Sequence, residues 1–198
     1  MEQSELQIVL LSGNPGTGKT SVAKFLEKKY KYHVIHLGDF VLSKKLYQAI
    51  DEERNTKIVD ATRLNENLEK YLLNKSGIFI CESHYADLVE HPAVRMAIIL
   101  RVKPDVIISR LKQRLYSHEK TRENAEAEFL GDCTSYMLGR SELYENQRIF
   151  EIDATNSSLE ELAELIHNII SNPSENSKYL AGSISWLSDN SVNLNNFI

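Results

Sequence analysis

Eight consecutive residues beginning at Gly13 read Gly-Asn-Pro-Gly-Thr-Gly-Lys-Thr, a complete G-x-x-x-x-G-K-[ST] phosphate-binding loop. Gly13, Gly16 and Gly18 let the backbone curl tightly with positive φ, so that successive N–H groups point at phosphate oxygens. Lys19 is expected to reach the β- and γ-phosphates of a nucleoside triphosphate, and the Thr20 hydroxyl to bind the Mg²⁺ that bridges them. The loop therefore predicts a site for ATP and Mg²⁺.

The residues on either side of the loop support this interpretation. Residues 6–11 are apolar and β-branched, as in a buried strand, whereas Val22, Phe25 and Leu26 follow at helical spacing. The N-terminus of that helix would add the positive end of its dipole to the anion site. This context disfavours the alternative, a glycine-rich turn with an incidental lysine.

Strand patterns alternate with helix patterns along the chain, which predicts an α/β fold with a parallel five-stranded sheet covered on both faces. Further strands are predicted over 33–37, 77–81, 96–100 and 149–152, and further helices over 61–73, 104–115, 125–144 and 159–170. Such sheets bind ligands at the carboxyl ends of their strands. The candidates at those ends are Asp39, Glu82, His84, Arg101 and residues 153–156.

Glu82 and His84 lie at the carboxyl end of a predicted strand, where the ligand site is expected. Glu82 ends an apolar strand, where a carboxylate in a P-loop enzyme can hold metal-bound water or orient a nucleophile, and His84 follows two residues later. The alternatives are a solvated charge at a strand end and a surface or packing histidine.

Two arginines, Arg110 and Arg114, are four residues apart, so a helix would present both on one face. A guanidinium can clamp phosphate or stack on a base, and phosphoryl transfer depends on such charge neutralisation. The following residues 116–124 are polar, as in a mobile lid, although an ordinary solvated helix surface explains the same charges.

Composition limits the classes of protein to which the chain can belong. With 198 residues it has the size of one domain, and no apolar stretch approaches the roughly 20 residues of a membrane span. The acidic N-terminus resembles neither a signal nor a transit peptide. We therefore expect a soluble intracellular protein, cytoplasmic by default, with a nuclear pool possible in a eukaryote.

The formal net charge of −5 argues against direct nucleic-acid binding and suits a basic partner protein. Cys81 and Cys133 lack metal-binding or redox spacing, so we expect buried, inert thiols. From residue 171 the composition becomes rich in Ser, Asn and Gly, which favours a largely disordered polar extension over 171–198. The alternative is a short docked helix around residues 183–187.

The combined motifs resemble the adenylate kinase isoenzyme 6 family, which are small P-loop nucleoside monophosphate kinases with archaeal and eukaryotic members. The resemblance favours an archaeal-type member and spans roughly residues 6–170. It rests on the phosphate-binding loop, the Gly-Asp pair ending at Asp39, Leu46-Tyr47 with residues 51–53, the Glu82-Ser-His84 element, and Arg110-x-x-x-Arg114 with Tyr116.

The resemblance implies a three-layer P-loop kinase domain over residues 1–170, with a monophosphate-binding segment at about 36–59 and a lid at about 113–123. It implies that ATP is bound by Gly13, Gly16, Thr17, Gly18, Lys19, Thr20, Ser21, Arg110, Arg114 and Ser158. The implied acceptor-binding residues are Asp39, Lys44, Arg63, Glu82 and His84. Catalysis is assigned to Lys19, Glu82, His84 and Arg114, and metal binding to Thr20 and Glu82.

The resemblance also implies phosphoryl transfer from ATP to AMP or related monophosphates, together with slower ATP hydrolysis. Family members act in late maturation of the small ribosomal subunit, through transient binding of a basic ribosomal protein. The alternatives are an assembly ATPase with incidental kinase activity and a kinase acting on a metabolite or a nucleic-acid end.

The chain departs from the family pattern at two positions. Glu82 stands where relatives usually carry Asp, and Leu42, with Lys44 and Lys45 nearby, stands where they carry Arg. Arg63 matches a family arginine. A lysine binds phosphate without the bidentate fork of arginine, so we expect weaker or less selective monophosphate binding.

Overall fold

The computed structural model describes residues 5–51, 56–140 and 148–189. Its strands are β1 (Leu6–Ser12), β2 (His33–His36), β3 (Tyr47–Asp51), β4 (Thr56–Val59), β5 (Gly77–Glu82), β6 (Val94–Arg101) and β7 (Arg148–Asp153). Its α-helices are α1 (Lys19–Tyr30), α2 (Leu37–Lys44), α3 (Ala61–Leu72), α4 (Pro104–Gln113), α5 (His118–Leu130), α6 (Asp132–Arg140) and α7 (Leu159–Ser171). No helix in these ranges is both long enough and apolar enough to cross a membrane.

The centre of the fold is a five-stranded parallel sheet in the order β2-β5-β1-β6-β7. Alternate residues of β1 point to opposite faces, as the twofold repeat of a strand requires, so that Val9 and Leu11 join one apolar cluster and Ile8 and Leu10 the other. Helices α1, α4 and α7 cover the first face, and α2, α3 and α6 cover the second. The predicted three-layer α/β fold is confirmed.

The five strands predicted for the sheet are confirmed, but the helix predicted over residues 125–144 is wrong. The described part of that range contains two helices, because α5 ends at Gly131 in the left-handed conformation, with φ of 77°, and α6 begins at the next residue. A Cβ at Gly131 would lie 3.4 Å from the guanidinium of Arg101, so the break also makes room for a buried charge. Residues 141–144 lie outside the described residues.

Two segments predicted from the resemblance have regular structure. The monophosphate-binding segment contains α2 and the antiparallel hairpin of β3 and β4, which the strand patterns did not predict; residues 52–55 lie outside the described residues. The predicted lid is helical from His118 onward as the start of α5, whose N-terminus is capped by the Ser117 hydroxyl.

The C-terminal extension packs on the domain as far as it is described. A 3-10 segment, Pro173–Tyr179, follows α7, Leu180 forms an antiparallel bridge with Phe150 of β7, and a short 3-10 turn spans Trp186–Ser188. Trp186 is only 5% exposed. The disordered tail favoured by composition is therefore wrong for residues 172–189, and the docked alternative is nearer to the structure. Residues 190–198 lie outside the described residues.

Candidate functional site

The phosphate-binding loop connects β1 to α1, and its first glycine is sterically required. Gly13 has a φ of 136°, and a Cβ at this position would lie 2.4 Å from the carbonyl oxygen of Leu100 in β6. A side chain would therefore push the loop away from the sheet. The predicted loop thus lies at the carboxyl end of the central strand, with α1 beginning at Lys19.

Lys19 is held inside this loop. Its side chain is buried, and Nζ donates to the carbonyl oxygen of Asn14 at 3.1 Å, an oxygen that also accepts from the Thr17 hydroxyl at 2.9 Å. Burial lowers the pKa of the Lys19 ammonium, and the negative charge of Glu82 opposes that shift. An ammonium has three N–H donors, so the bond to Asn14 leaves capacity for phosphate oxygens.

Thr20 and Glu82, the predicted metal ligands, are brought together. The Thr20 hydroxyl donates to Oε1 of Glu82 at 3.2 Å, while Oε2 of Glu82 pairs with Nδ1 of His36 at 2.8 Å. Glu82 lies beside Leu11 of β1 and His36 of β2 in the sheet register, so all three strand ends meet at this point. A hydroxyl and a carboxylate are the hard oxygen donors that Mg²⁺ prefers.

A cleft of about 320 Å³ opens over these groups, and we call it the strand-end cleft. Of the predicted site residues, its lining contains Gly16, Gly18, Lys19, Thr20, Ser21, Asp39, Glu82, His84 and Arg114. It also contains side chains to which the sequence analysis gave no binding role, among them Lys24, His36 and Tyr85. Lys24 lies one helical turn after Thr20, so the same spacing that paired the two arginines could have found it.

His84 lies at the rim of the strand-end cleft, with its ring edge-on to Tyr85 at 4.8 Å between centroids. The surrounding protein and, next, the positive charge of Lys19 lower the pKa of His84 to about 4. The residue is exposed to solvent on one side, which moderates the shift without changing its direction. The imidazole is therefore neutral at physiological pH.

A second cavity of about 510 Å³ lies on the other side of the loop, between α4 and the start of α7, and we call it the α4–α7 cavity. Its lining contains Arg110 and Arg114, as their spacing predicted, together with Gly16, Thr17, Gly18, Ser21, Gln113, Ala154, Ser157, Leu159 and Leu162. Nη1 of Arg110 donates to the carbonyl oxygen of Gly16 at 2.9 Å, which ties α4 to the loop. The two cavities share Gly16, Gly18, Ser21 and Arg114.

Three predicted residues lie elsewhere. The Ser158 hydroxyl accepts from the backbone N–H of Glu161 in a complete capping box, so it serves the start of α7. Nζ of Lys44 lies over the ring of Phe40 at 5.3 Å, and Arg63 is exposed near the start of α3. None of the three lines either cavity in the described part of the chain.

A buried ionic network behind the loop escaped the sequence analysis. Arg101 pairs through Nε with Oε1 of Glu128 and through Nη1 with Oε1 of Glu151, both at 2.7 Å, and all three side chains are at most 3% exposed. Nδ2 of Asn14, a loop position to which we assigned no side-chain role, donates to Oε2 of Glu128 at 2.9 Å. The available signal was Glu151, a charged residue between the apolar Phe150 and Ile152 in the middle of β7.

Both cysteines are buried, as predicted. Burial raises the pKa of Cys81 to about 12 and that of Cys133 to about 11. The Cys133 thiol donates to Oδ1 of Asn14 at 3.5 Å. These thiols are therefore protonated and serve packing.

Comparisons with known proteins agree with this geometry. The AAA domain family matches residues 9–131. The chain is 40% identical over 187 residues to the protein named "Putative adenylate kinase" from Methanosarcina barkeri, covering 91% of this chain and 97% of that protein. It is 31% identical over 185 residues to the protein of the same name from Saccharolobus solfataricus, covering 93% and 90%.

Two solved structures share the fold at low sequence identity. Deoxyadenosine kinase from M. mycoides matches with a TM-score of 0.50 and 16% identity, covering 83% of this chain and 98% of that one. Shikimate kinase from Acinetobacter baumannii matches with a TM-score of 0.52 and 15% identity, covering 85% and 95%. The family match and the archaeal relatives together show that the chain belongs to the AAA domain family of P-loop proteins and groups with the archaeal proteins that carry the adenylate kinase name.

Proposed function

We propose that this protein is a magnesium-dependent nucleoside monophosphate kinase of the isoenzyme 6 type, which transfers the γ-phosphoryl group of ATP to AMP or a related monophosphate. The observation that carries the proposal is the convergence of Lys19, Thr20 and Glu82 at one end of the strand-end cleft. The kinase names of the archaeal relatives support the same class of reaction.

The two cavities suggest how donor and acceptor are arranged. The α4–α7 cavity has room for the nucleoside of ATP, with Arg110 and Arg114 along one wall, and the strand-end cleft has room for the acceptor. The phosphates would cross the loop between them, where both cavities share Gly16, Gly18 and Arg114. Such an arrangement would bring an acceptor phosphate oxygen up to the γ-phosphorus of ATP in a confined space, and this positioning is the main requirement of phosphoryl transfer.

Charge neutralisation falls to the chain's own cations. The buried Lys19 ammonium and the Arg114 guanidinium are placed to neutralise negative charge on the transferred group, together with the backbone N–H groups of the loop. No covalent intermediate on the enzyme is required.

Thr20 and Glu82 would hold Mg²⁺, whose chemistry is to bridge and neutralise phosphate oxygens. Among the residues at 5–51, 56–140 and 148–189 there is no cluster of three or more His, Cys, Asp or Glu side chains suited to a metal. That fits a cation which keeps several waters and takes its remaining ligands from the nucleotide. His36 fixes the second oxygen of Glu82, which limits the freedom of this longer acid.

The acceptor would lie near Asp39, Glu82 and His84, with Lys24 as an additional phosphate-binding cation on the same cleft. Lys44 and Arg63 are assigned to the acceptor by the resemblance alone, because they line neither cavity in the described part of the chain. We take AMP as the acceptor because the archaeal relatives carry the adenylate kinase name.

A second activity, ATP hydrolysis, is favoured by the position of His84. A neutral imidazole beside Glu82 at the rim of an open cleft can orient a water molecule. The role in maturation of the small ribosomal subunit, with a basic ribosomal protein as a transient partner, stays a prediction from the resemblance. The net charge of −5 is compatible with such a partner.

The test measures ADP formation from Mg-ATP with and without a panel of monophosphates, and then with a basic small-subunit ribosomal protein. We expect the rate to rise with AMP and to require Mg²⁺. A rate that responds to no monophosphate but rises with the ribosomal protein would favour the assembly ATPase instead.

Substitutions test the separate roles that we propose for Lys19 and His84. Lys19→Ala should abolish both activities, whereas Lys28→Ala, an exposed lysine on the same helix that lines neither cavity, should leave both unchanged. His84→Ala should reduce hydrolysis more than transfer. Equal losses of the two activities in His84→Ala would contradict a separate role in placing water.

A further inference from the structure

The C-terminal extension ends its described course behind the phosphate-binding loop. Four of its contacts with the domain, in chain order, involve β7, the end of β6 or the residues just after it. The contacts are Ala181 N to Ile149 O at 2.9 Å, Gly182 N to Glu151 Oε2 at 2.7 Å, Arg101 Nη1 to Ile184 O at 3.4 Å, and Lys103 Nζ to Asp189 Oδ2 at 3.0 Å.

Trp186 connects this extension to a further member of the buried ionic network, Glu128. Its indole Nε1 donates to Oε1 of Glu128 at 2.9 Å, and the guanidinium of Arg101 lies 5.9 Å from the centroid of its ring. The same Oε1 atom also accepts from Nε of Arg101 at 2.7 Å and from the backbone N–H of Val102 at 3.2 Å. Three donors from two segments, the end of β6 with the residue after it and the C-terminal extension, therefore fix one oxygen of a fully buried carboxylate.

The other oxygen of Glu128 faces the phosphate-binding loop. Oε2 accepts from the side-chain amide Nδ2 of Asn14 at 2.9 Å, and the backbone carbonyl oxygen of the same residue accepts from Nζ of Lys19 at 3.1 Å. A continuous path of buried hydrogen bonds therefore runs from Trp186 through Glu128 and Asn14 to the lysine. No other contact of the extension is needed to complete this path.

We propose that the C-terminal extension is a positioning element of the nucleotide site, in which Trp186 holds Glu128 so that Glu128 can hold Asn14 and Lys19 in the geometry that receives phosphate. The proposal rests on the proposed function, because it takes Lys19 to be the phosphate-binding lysine. Trp186 is a positioning residue and touches no reacting atom.

The physical basis is preorganisation. A buried carboxylate that accepts several hydrogen bonds on one oxygen has few ways to move, and it then holds in place the group that donates to its other oxygen. If the indole N–H is removed, Glu128 loses one of these bonds and the loop spends part of its time in other arrangements. Apparent affinity for the nucleotide falls in proportion to the fraction of molecules that remain competent.

The test is isothermal titration calorimetry of the full chain with Mg²⁺ and the non-hydrolysable analogue AMP-PNP. Trp186→Phe keeps an aromatic ring but lacks the N–H donor, and we expect its dissociation constant to rise by about three- to tenfold. Leu187→Ala is the matched control, because the neighbouring side chain is 64% exposed and should leave affinity unchanged. Circular dichroism at the titration temperature establishes that each variant is folded.

A double-mutant cycle separates positioning from general destabilisation. Asn14→Ala removes the loop's side of the path, so adding Trp186→Phe to it should weaken binding by no more than the larger single effect. Additive losses would mean that the two residues act independently and would overturn the proposal. A dissociation constant in Trp186→Phe equal to that of the unmodified protein would overturn it as well.

The unmodified chain supplies a second readout, because Trp186 is its single tryptophan. We expect saturable changes in its fluorescence at the AMP-PNP concentrations that calorimetry gives, and none in Lys19→Ala. Constant emission in a protein whose binding is measured by calorimetry would contradict the coupling while leaving the kinase assignment intact. If the unmodified protein binds no AMP-PNP, the proposed function fails together with this inference.

Discussion

Replacement of Arg101 by Met tests how much of the stability depends on the buried charges behind the phosphate-binding loop. Met has a similar reach but no donors, so Arg101→Met would leave the carboxylates of Glu128 and Glu151, both 0% exposed, without their cation. Burial lowers the pKa of Arg101, but Glu128 and Glu151 raise it overall, so the guanidinium is charged in the folded protein.

Breaking a buried pair by removal of one partner typically costs about 3–5 kcal/mol, since an uncompensated charge remains inside. For a chain of this size about 1 kcal/mol lowers Tm by about 2–4 °C, so we expect a fall of about 6–20 °C. A loss of this size is a large fraction of a total free energy of unfolding of about 5–15 kcal/mol, so the comparison is made at low temperature. Urea denaturation at that temperature measures the loss directly.

The matched control is Arg95→Met. Arg95 pairs with Glu5 at 3.1 Å on the surface, with both side chains well exposed, and such pairs contribute about 0–1 kcal/mol. If the unpaired carboxylates cause the loss, Glu151→Gln should be less harmful in the Arg101→Met background than in the unmodified protein. A loss in Arg101→Met no larger than that of the control would refute this reasoning.

Two further substitutions test single contacts. Ser158→Ala should lower the free energy of unfolding by about 1 kcal/mol, because it removes the cap of α7, while the KM for ATP stays unchanged. Hydrogen bonds from Ser158 lower the pKa of Glu161 below its ordinary value of 4.5. The stabilisation by the capping box is therefore present at neutral pH and should shrink in urea titrations as the pH falls through that lowered value. A raised KM with unchanged stability would instead support direct nucleotide binding by Ser158. Gly13→Ala should reduce affinity for AMP-PNP more than about tenfold in calorimetry, because its Cβ would meet the Leu100 carbonyl oxygen. The control is Gly139→Ala, in open space on α6, which should keep the affinity and leave Tm equal or higher. Normal binding by Gly13→Ala would show that the loop can move away from β6.

The polar residues at the carboxyl ends of the strands were the most predictable part of the site. Glu82 and Thr20 are 62 positions apart in sequence, but a strand-end acid and a loop threonine must meet once the strands are parallel. Arg110 and Arg114 followed from helical spacing in the same way. The pairing of His36 with Glu82 was not predicted, because it depends on β2 lying beside β5, and no local sequence pattern indicates which strands are neighbours.

The buried network could not be predicted because its members belong to separate segments. Asn14, Arg101, Glu128, Glu151 and Trp186 share no spacing, and each has an ordinary local role in a loop, strand, helix or tail. The break at Gly131 was missed for the same reason, since it accommodates the Arg101 guanidinium.

By itself, the sequence determined the phosphate-binding loop, the strands of the sheet and the edge where chemistry occurs, because glycine spacing and apolar periodicity act over a few residues. Tertiary structure alone decided how the charges behind that loop are compensated and where the C-terminal extension lies. A buried charge must find its partner in space, and Trp186 reaches Glu128 across 58 positions of sequence.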